Sequence, residues 1–131
     1  GFYLTGTDQA VQIISDVSES NLKLQYDVYH MQIMEGDLLR TIVDNFNIIK
    51  HFQIADNPGR HEPGTGEINY KNVFNKINEL GYDGWIGCEY NPLGDTVEGL
   101  DWLAVAERFA TTMRTAQGRG TNLMFPFKSD A

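Results

Sequence analysis

The sequence predicts an α/β protein with a parallel β-sheet, because three short strand-like segments alternate with four helix-like segments along the 131 residues. Each connection between successive strands is long enough to hold a helix, as strands that run in the same direction require. Polar residues lie in or near the carboxyl ends of these strands: Asp27, Gln53 and Glu89. Binding groups of parallel α/β proteins collect at that edge of the sheet, so these residues are candidates for a site.

The first half of the chain is predicted to contain two helices that flank a strand. Apolar residues recur at helical spacing from Asp8 to Val17, where Thr7 can cap the start. Residues 22–27 alternate apolar and polar side chains in the manner of a strand. Helical spacing returns from Asp37 to Phe46, with Asp37 itself placed to cap the helix. This order gives helix, strand, helix.

A long loop separates the second predicted strand from the third predicted helix. The strand covers residues 51–56 and runs into Asn-Pro-Gly, a strong stop signal. Residues 57–69 hold two of the four prolines and three of the thirteen glycines. A connection of this length is more than a turn and often carries function. The helix that follows is predicted over residues 70–80.

The last predicted strand covers residues 84–90 and is followed by one long helix, from Asp95 to Met113. Residues 116–131 show neither the apolar periodicity of a helix nor that of a strand, and they are expected to form an irregular tail. The first 115 residues are therefore expected to form the folded unit.

Composition excludes several classes of protein. Ten basic and eighteen acidic residues give a net charge of −8, which repels nucleic acids and anionic membranes. The single cysteine, Cys88, excludes an internal disulfide framework and fits a reducing, cytoplasmic setting. No apolar run approaches the roughly 20 residues of a membrane helix. We therefore expect no nucleic-acid or membrane partner.

The residues at the strand ends favour a divalent-ion site. Asp27, Gln53 and Glu89 offer hard oxygen ligands of the kind that suit Mg²⁺ or Mn²⁺. The alternative is that these carboxylates cap helices or face water. Gly87 shares a strand face with Glu89, and a glycine there leaves room for a ligand to approach the backbone.

Three other residues have two open interpretations each. His30 follows the first strand and could donate a hydrogen bond to a substrate oxygen, or be a structural loop residue. Arg60 could bind a carboxylate through two contacts, or be a solvated surface charge. Glu67 could orient the site from behind the ligands, or cap the following helix. Cys88 is expected to be an inert core thiol.

Residues 24–32, 53–70 and 84–90 closely resemble the hydroxypyruvate isomerase family. That family is part of the xylose-isomerase-like group of (β/α)₈ TIM barrels, whose members bind a divalent ion through residues on several strands. The resemblance runs from Gly1 to about Leu103. It implies an isomerase that interconverts hydroxypyruvate and tartronate semialdehyde, a reaction of hydroxy-oxo acids.

The resemblance also implies roles for individual residues. Asp27, Gln53 and Glu89 match the metal ligands of the sixth, seventh and eighth barrel strands, and Glu89 is also the acid/base carboxylate. His30 and Arg60 match substrate contacts. The alternatives are a 2-oxo-tetronate isomerase, whose relatives share these motifs, and a non-catalytic α/β module. Abasic-site endonucleases share the barrel but need more histidine ligands and a basic surface.

A whole barrel of this kind needs about 250 residues. The chain matches strands six to eight with their helices, so we expect it to be the C-terminal part of a TIM barrel. The fifth-strand glutamate of the family, the second catalytic carboxylate, is then expected upstream of Gly1. Alone, the chain is expected to be inactive and either to self-associate or to depend on the N-terminal segment of the barrel.

Overall fold

The computed structural model describes residues 1–104 and 122–124. Helices and strands follow the order that the sequence predicts, except that two helices, and not one, lie between the first two strands. In chain order they are α1 (Thr7–Val17), β1 (Leu24–Asp27), α2 (Val28–Met34), α3 (Leu38–Asn45), β2 (Ile49–Ile54), α4 (Tyr70–Glu79), β3 (Trp85–Cys88), a short 3₁₀ turn (Glu98–Leu100) and β4 (Asn122–Met124).

The described strands form a single parallel sheet in the order β1-β2-β3-β4. The α/β fold with parallel strands is therefore confirmed. The register pairs Asp27 with Gln53, and Gln53 with Gly87. These three residues lie in one row across the sheet, at the carboxyl ends of their strands.

The two faces of the sheet differ in polarity because side chains alternate along each strand. Residues of one face are buried in the main hydrophobic core together with residues of α1, α3 and α4: Tyr26, Phe52, Ile54, Ile86, Cys88, Ala10, Ile42, Val73 and Ile77. The opposite face is polar and only partly buried, and it carries Gln25, Asp27, His51, Gln53 and Gly87. The candidate site belongs to this polar face.

Helix α2 is one element that the sequence did not predict. It begins at Val28, directly after β1, and has seven residues. The N-terminus is capped by Asp27, whose side chain accepts a hydrogen bond from the backbone N–H of His30 at 3.1 Å. A helix this short shows too little apolar periodicity to be recognised, and its capping residue coincides with the end of a strand.

The predicted helix from Asp95 to Met113 starts later than expected. The Asp95 carboxylate accepts hydrogen bonds from the backbone N–H groups of Val97 at 2.8 Å and Glu98 at 3.2 Å. These bonds cap the first turn, and the N–H of Leu100 donates to the carbonyl oxygen of Val97 at 3.2 Å, the i to i+3 spacing of a 3₁₀ turn. The 3₁₀ turn follows, residues 102–104 are helical, and the rest of the predicted helix lies outside the described residues.

The predicted irregular tail, residues 116–131, contains a strand. Residues 122–124 pair with β3 in parallel, in a register that places Trp85 opposite Asn122. The physical reason is that the free edge of β3 offers backbone N–H and C=O groups to any adjacent extended segment. The remainder of the tail lies outside the described residues. Among those that are described, no helix has the length and apolar character to cross a lipid bilayer.

Candidate functional site

The candidate site lies where β1, β2 and β3 end. Asp27 and Gln53 end up side by side because the parallel register pairs their Cα atoms. Glu89 follows β3 directly, and its backbone N–H donates to the carbonyl oxygen of Ile54 at 3.0 Å. The strand ends thus bring the three predicted ligands to one edge of the sheet, as their spacing in the sequence predicts.

The two carboxylate oxygens of Asp27 have different neighbours. Its Oδ1 caps α2, so the helix-capping interpretation of this carboxylate describes one of its two oxygens. Its Oδ2 lies 3.9 Å from Nε2 of His30, one turn into α2. The Asp27 side chain is only 15% exposed, whereas the His30 side chain is 47% exposed. The carboxylate is therefore held by the protein, with one oxygen not used by the cap.

Gln53 is held from the neighbouring strand. The side-chain amide of Gln25 donates a hydrogen bond to Oε1 of Gln53. Opposite Gln53 the sheet carries Gly87, where a Cβ atom would lie 3.1 Å from Nε2 of His51 and 3.6 Å from Cγ of Gln53. A side chain at position 87 would therefore crowd His51. The groups that approach this glycine in the structure are the His51 and Gln53 side chains, and the approach of a ligand stays a prediction.

Arg60 and Glu89 form an ion pair, with 3.1 Å between a terminal guanidinium nitrogen and Oε2. Arg60 Nε also lies 3.4 Å from the backbone carbonyl of Glu89, to which it donates. The Arg60 guanidinium carbon stands 5.4 Å from the centre of the Tyr29 ring, within the range of a cation–π contact. The two side chains are 34% and 50% exposed, so a ligand can reach them.

Glu67 does not cap the following helix, which was the alternative interpretation. The cap of α4 is Asn69, whose side chain accepts from the N–H of Asn72 at 3.1 Å. Glu67 Oε1 instead accepts hydrogen bonds from the side-chain amides of Asn57 at 2.6 Å and Gln32 at 3.2 Å. This carboxylate therefore links the loop after β2 to helix α2.

The structure brings the predicted residues together as contacting pairs: Asp27 with His30, and Arg60 with Glu89. Sequence reasoning missed two of their neighbours, Gln25 and Tyr29. The position of Gln25, two residues before Asp27 on the same strand face, was a usable signal. Nothing in the sequence pattern marks Tyr29, whose ring lies edge-on to that of His30 with 5.2 Å between centroids.

The donor set fits a hard divalent ion. Asp27 and Glu89 supply carboxylate oxygens and Gln53 an amide oxygen. In residues 1–104 and 122–124, no three His, Cys, Asp or Glu side chains group as a metal site. The predicted ligands cannot form such a group by themselves, because they comprise two carboxylates and one amide, that of Gln53. Cys88 offers no alternative ligand, because burial raises the pKa of its thiol to about 12.

Comparison with known proteins identifies relatives for most of the chain. Residues 1–105 match the model of a family described as xylose isomerase-like TIM barrel. Over 103 residues the chain is 56% identical to hydroxypyruvate isomerase of Escherichia coli K12 and 48% identical to 2-oxo-tetronate isomerase of Cupriavidus necator. Each match covers 79% of this chain and 40% of the relative.

A solved structure shares the fold. The crystal structure described as AP endonuclease, family 2, from Brucella melitensis superimposes with a TM-score of 0.77 at 45% sequence identity. The match covers 79% of this chain and 40% of that one. The chain thus spans about 40% of the length of the relatives that it matches.

Proposed function

This chain belongs to the xylose isomerase-like TIM barrel family, and on that premise we propose that the barrel containing it interconverts hydroxypyruvate and tartronate semialdehyde. Strands β1, β2 and β3 would then be the sixth, seventh and eighth strands of the barrel. The observation that carries the proposal is the contact between Arg60 and Glu89. It supports the proposal because a guanidinium that would bind the substrate carboxylate lies beside a half-exposed carboxylate that would move protons.

The proposed reaction transfers hydrogen between adjacent carbons of the substrate. A proton leaves C3 of hydroxypyruvate, an enediolate forms, and a proton is delivered to C2, while the oxygens exchange carbonyl and hydroxyl character. Glu89 fits one end of this transfer, because it lies at the strand end and is half exposed. The partner carboxylate would come from the fifth strand of the barrel.

Asp27, Gln53 and Glu89 would hold the divalent ion, Mg²⁺ or Mn²⁺. When bound, such an ion supplies positive charge that stabilises the negative charge developing on the substrate oxygens. His30 would donate a hydrogen bond to a reacting oxygen from the first turn of α2. Gln25 would fix the orientation of the Gln53 amide, since it already donates to Oε1.

Arg60 would bind the substrate carboxylate, which is the group that distinguishes hydroxypyruvate from a neutral triose. A chain with net charge −8 needs such a local positive group to attract an anion. Arg60 has the necessary exposure, and Tyr29 supports its guanidinium from one side. Glu67 would hold the loop that carries Arg60 against α2, through Asn57 and Gln32.

A 2-oxo-tetronate isomerase is the second candidate, favoured by the relative with 48% identity. Its substrate is one carbon longer and shares the carboxylate and the adjacent carbonyl, so the same residues would serve. An abasic-site endonuclease, the description of the solved relative, is disfavoured by the net charge of −8, which repels a phosphate backbone.

Turnover of the two substrates by a hybrid enzyme tests the proposal. In this hybrid, residues 1–105 replace the matched segment of the E. coli hydroxypyruvate isomerase. We expect metal-dependent isomerisation of hydroxypyruvate with a kcat/KM above that for 2-oxo-tetronate. The reverse preference would select the second candidate, and cleavage of abasic DNA without isomerisation would refute both.

Replacing Asp27 with asparagine should weaken metal binding by about 10-fold or more, because a neutral amide replaces an anionic ligand. Asparagine caps helices as well as aspartate does, so α2 should keep its start. Calorimetric titration of the hybrid with Mn²⁺ measures the change. Asp37→Asn is the matched control, since Asp37 precedes α3 and lies in an exposed pair with Arg40. Equal Mn²⁺ affinity in Asp27→Asn and parent would remove Asp27 from the site.

Replacing Arg60 with lysine should raise the KM for hydroxypyruvate about 10-fold with little change in kcat. An ammonium group lacks the planar pair of donors that a carboxylate accepts, and it stacks less well on an aromatic ring. Steady-state kinetics of the hybrid give both constants. Arg40→Lys is the control, because Arg40 pairs with Asp37 on the exposed surface of α3. A KM equal to that of the parent would remove Arg60 from the substrate contacts.

A further inference from the structure

One buried carboxylate, that of Asp56, organises the loop after β2. Its Oδ1 accepts hydrogen bonds from the backbone N–H groups of Asn57 at 2.9 Å and Ile68 at 3.0 Å, and its Oδ2 accepts from Gly64 at 2.7 Å. Asp56 is 1% exposed. Among the residues that the structure describes, it takes part in no ion pair, so these N–H groups supply the compensation that a buried charge needs.

The backbone of Asp56 holds the turn that carries Arg60. The N–H of Arg60 donates to the carbonyl oxygen of Asp56 at 2.8 Å, and the N–H of Asp56 donates to that of His61 at 2.9 Å. Arg60 itself has a φ of +57°, a left-handed conformation that an L-residue with a long side chain rarely adopts. A conformation of this kind persists where the surroundings enforce it.

The far end of the loop returns to the same carboxylate. A Cβ atom on Gly66 would lie 2.7 Å from Oδ1 of Asp56 and would collide with the carbonyl oxygen of Asn57. The next residue, Glu67, donates its N–H to that carbonyl at 2.8 Å. The placement of both Arg60 and Glu67 therefore depends on the contacts around Asp56.

We propose that Asp56 is a positioning residue of the isomerase, which holds loop 57–68 so that Arg60 is presented to the carboxylate of the substrate. The proposal rests on the proposed function, because it concerns the substrate contact assigned there to Arg60. Asp56 is buried, and its three hydrogen bonds point into the loop, so it acts through Arg60 and not on the substrate.

The chemistry of the contacts requires a carboxylate. Three N–H groups use both oxygens of Asp56, and an amide has only one oxygen. In either orientation of an asparagine, its NH₂ group would face an N–H that also needs an acceptor. The change Asp56→Asn therefore disturbs the loop while it preserves the size and shape of the side chain.

Glu62 provides a matched control within the same loop. It is also buried, and both of its oxygens lie 3.2 Å from one backbone N–H, that of Leu93. A glutamine at this position keeps an oxygen for that single donor. Glu62→Gln thus makes the same chemical change at a similar burial, without removing the acceptor.

The experiment is a double-mutant cycle in the hybrid enzyme. Asp56→Asn should raise the KM for hydroxypyruvate about 10-fold, the scale of one buried N–H left without an acceptor, and should lower kcat less than threefold. In an Arg60→Ala background the same change should leave KM unaltered, because the group that it positions is gone. Glu62→Gln should change KM less than twofold. An unchanged KM in Asp56→Asn, or an equal rise in both backgrounds, would overturn the proposal.

A second readout works without turnover. The Nε–H signal of Arg60 in nitrogen-15 spectra of the hybrid reports the placement of the guanidinium, and Asp56→Asn should shift it while Glu62→Gln does not. If the parent hybrid isomerises neither substrate, the proposed function fails, and an unmoved signal would overturn the positioning role independently. Should Asp56→Asn not fold, Asp56→Glu replaces it in both measurements, since it keeps both acceptor oxygens but moves them away from the three N–H groups by one methylene.

Discussion

Glu89→Gln should lower the kcat of the hybrid isomerase by about 10²- to 10⁴-fold, the usual contribution of a positioned acid/base group. The amide has nearly the shape of the carboxylate but cannot accept a proton from a carbon. Glu89 is exposed enough that the substitution should leave the fold intact. At saturating Mn²⁺ the KM should change far less than kcat, because the lost interaction belongs to the transition state.

Steady-state kinetics and deuterium exchange at C3 of the substrate measure this effect. Glu79→Gln is the control, since Glu79 ends α4 and pairs with Lys76 on the surface. It should retain the kcat of the parent. A kcat for Glu89→Gln within threefold of the parent would show that another group moves the proton, and the acid/base role of Glu89 would have to be abandoned.

Phe52→Ala should lower the free energy of unfolding by about 3–5 kcal/mol, the cost of truncating a fully buried phenylalanine. Phe52 lies in β2, between β1 and β3, and is 0% exposed. Its ring packs edge-on against two tyrosines, with centroids 6.0 Å from Tyr26 and 4.9 Å from Tyr82. The cavity would therefore open where the three strands share their core.

Urea denaturation of the hybrid gives the difference in stability. Val43→Ala provides the comparison, because Val43 lies on α3 and is 43% exposed, so its truncation should cost only a few tenths of a kcal/mol. The two substitutions thus compare the removal of apolar atoms from a fully buried and from a partly exposed position. A loss below about 1 kcal/mol for Phe52→Ala would mean that the core of the sheet relaxes around the missing ring.

The sequence predicted the parallel sheet well because the strands alternate clearly. Leu24 and Tyr26 face the core while Gln25 does not, and the same alternation recurs around Phe52 and Ile86. Periodicity of this kind is a local property of the sequence, so it can be recognised without knowing which strands lie next to each other in the sheet. It also located the strand ends closely enough to propose the row of polar residues.

The missed features depend on contacts between distant residues. Asp56 precedes Asn-Pro-Gly and was interpreted only as the end of a strand, although its side chain is bonded to Gly64 and Ile68. The left-handed conformation of Arg60 is enforced by that loop and has no local signal. Asp27 has both a ligand and a helix-cap interpretation; the structure confirms the cap, made by Oδ1, and the ligand role stays a prediction. The metal itself stays a prediction.

Because Arg60 is paired with Glu89, an anionic substrate that binds Arg60 would have to displace the Glu89 carboxylate. The Arg60 guanidinium contacts the Glu89 carboxylate before the substrate binds and would contact the substrate carboxylate afterwards. The guanidinium would therefore be paired with one carboxylate in both states. For a pair this exposed the displaced contact is worth at most about 1 kcal/mol, which costs the substrate no more than about a fivefold loss of affinity. In return, Oε2 of Glu89 would lose its contact with Arg60 only when a substrate carboxylate has taken its place, and product departure would restore the original pair.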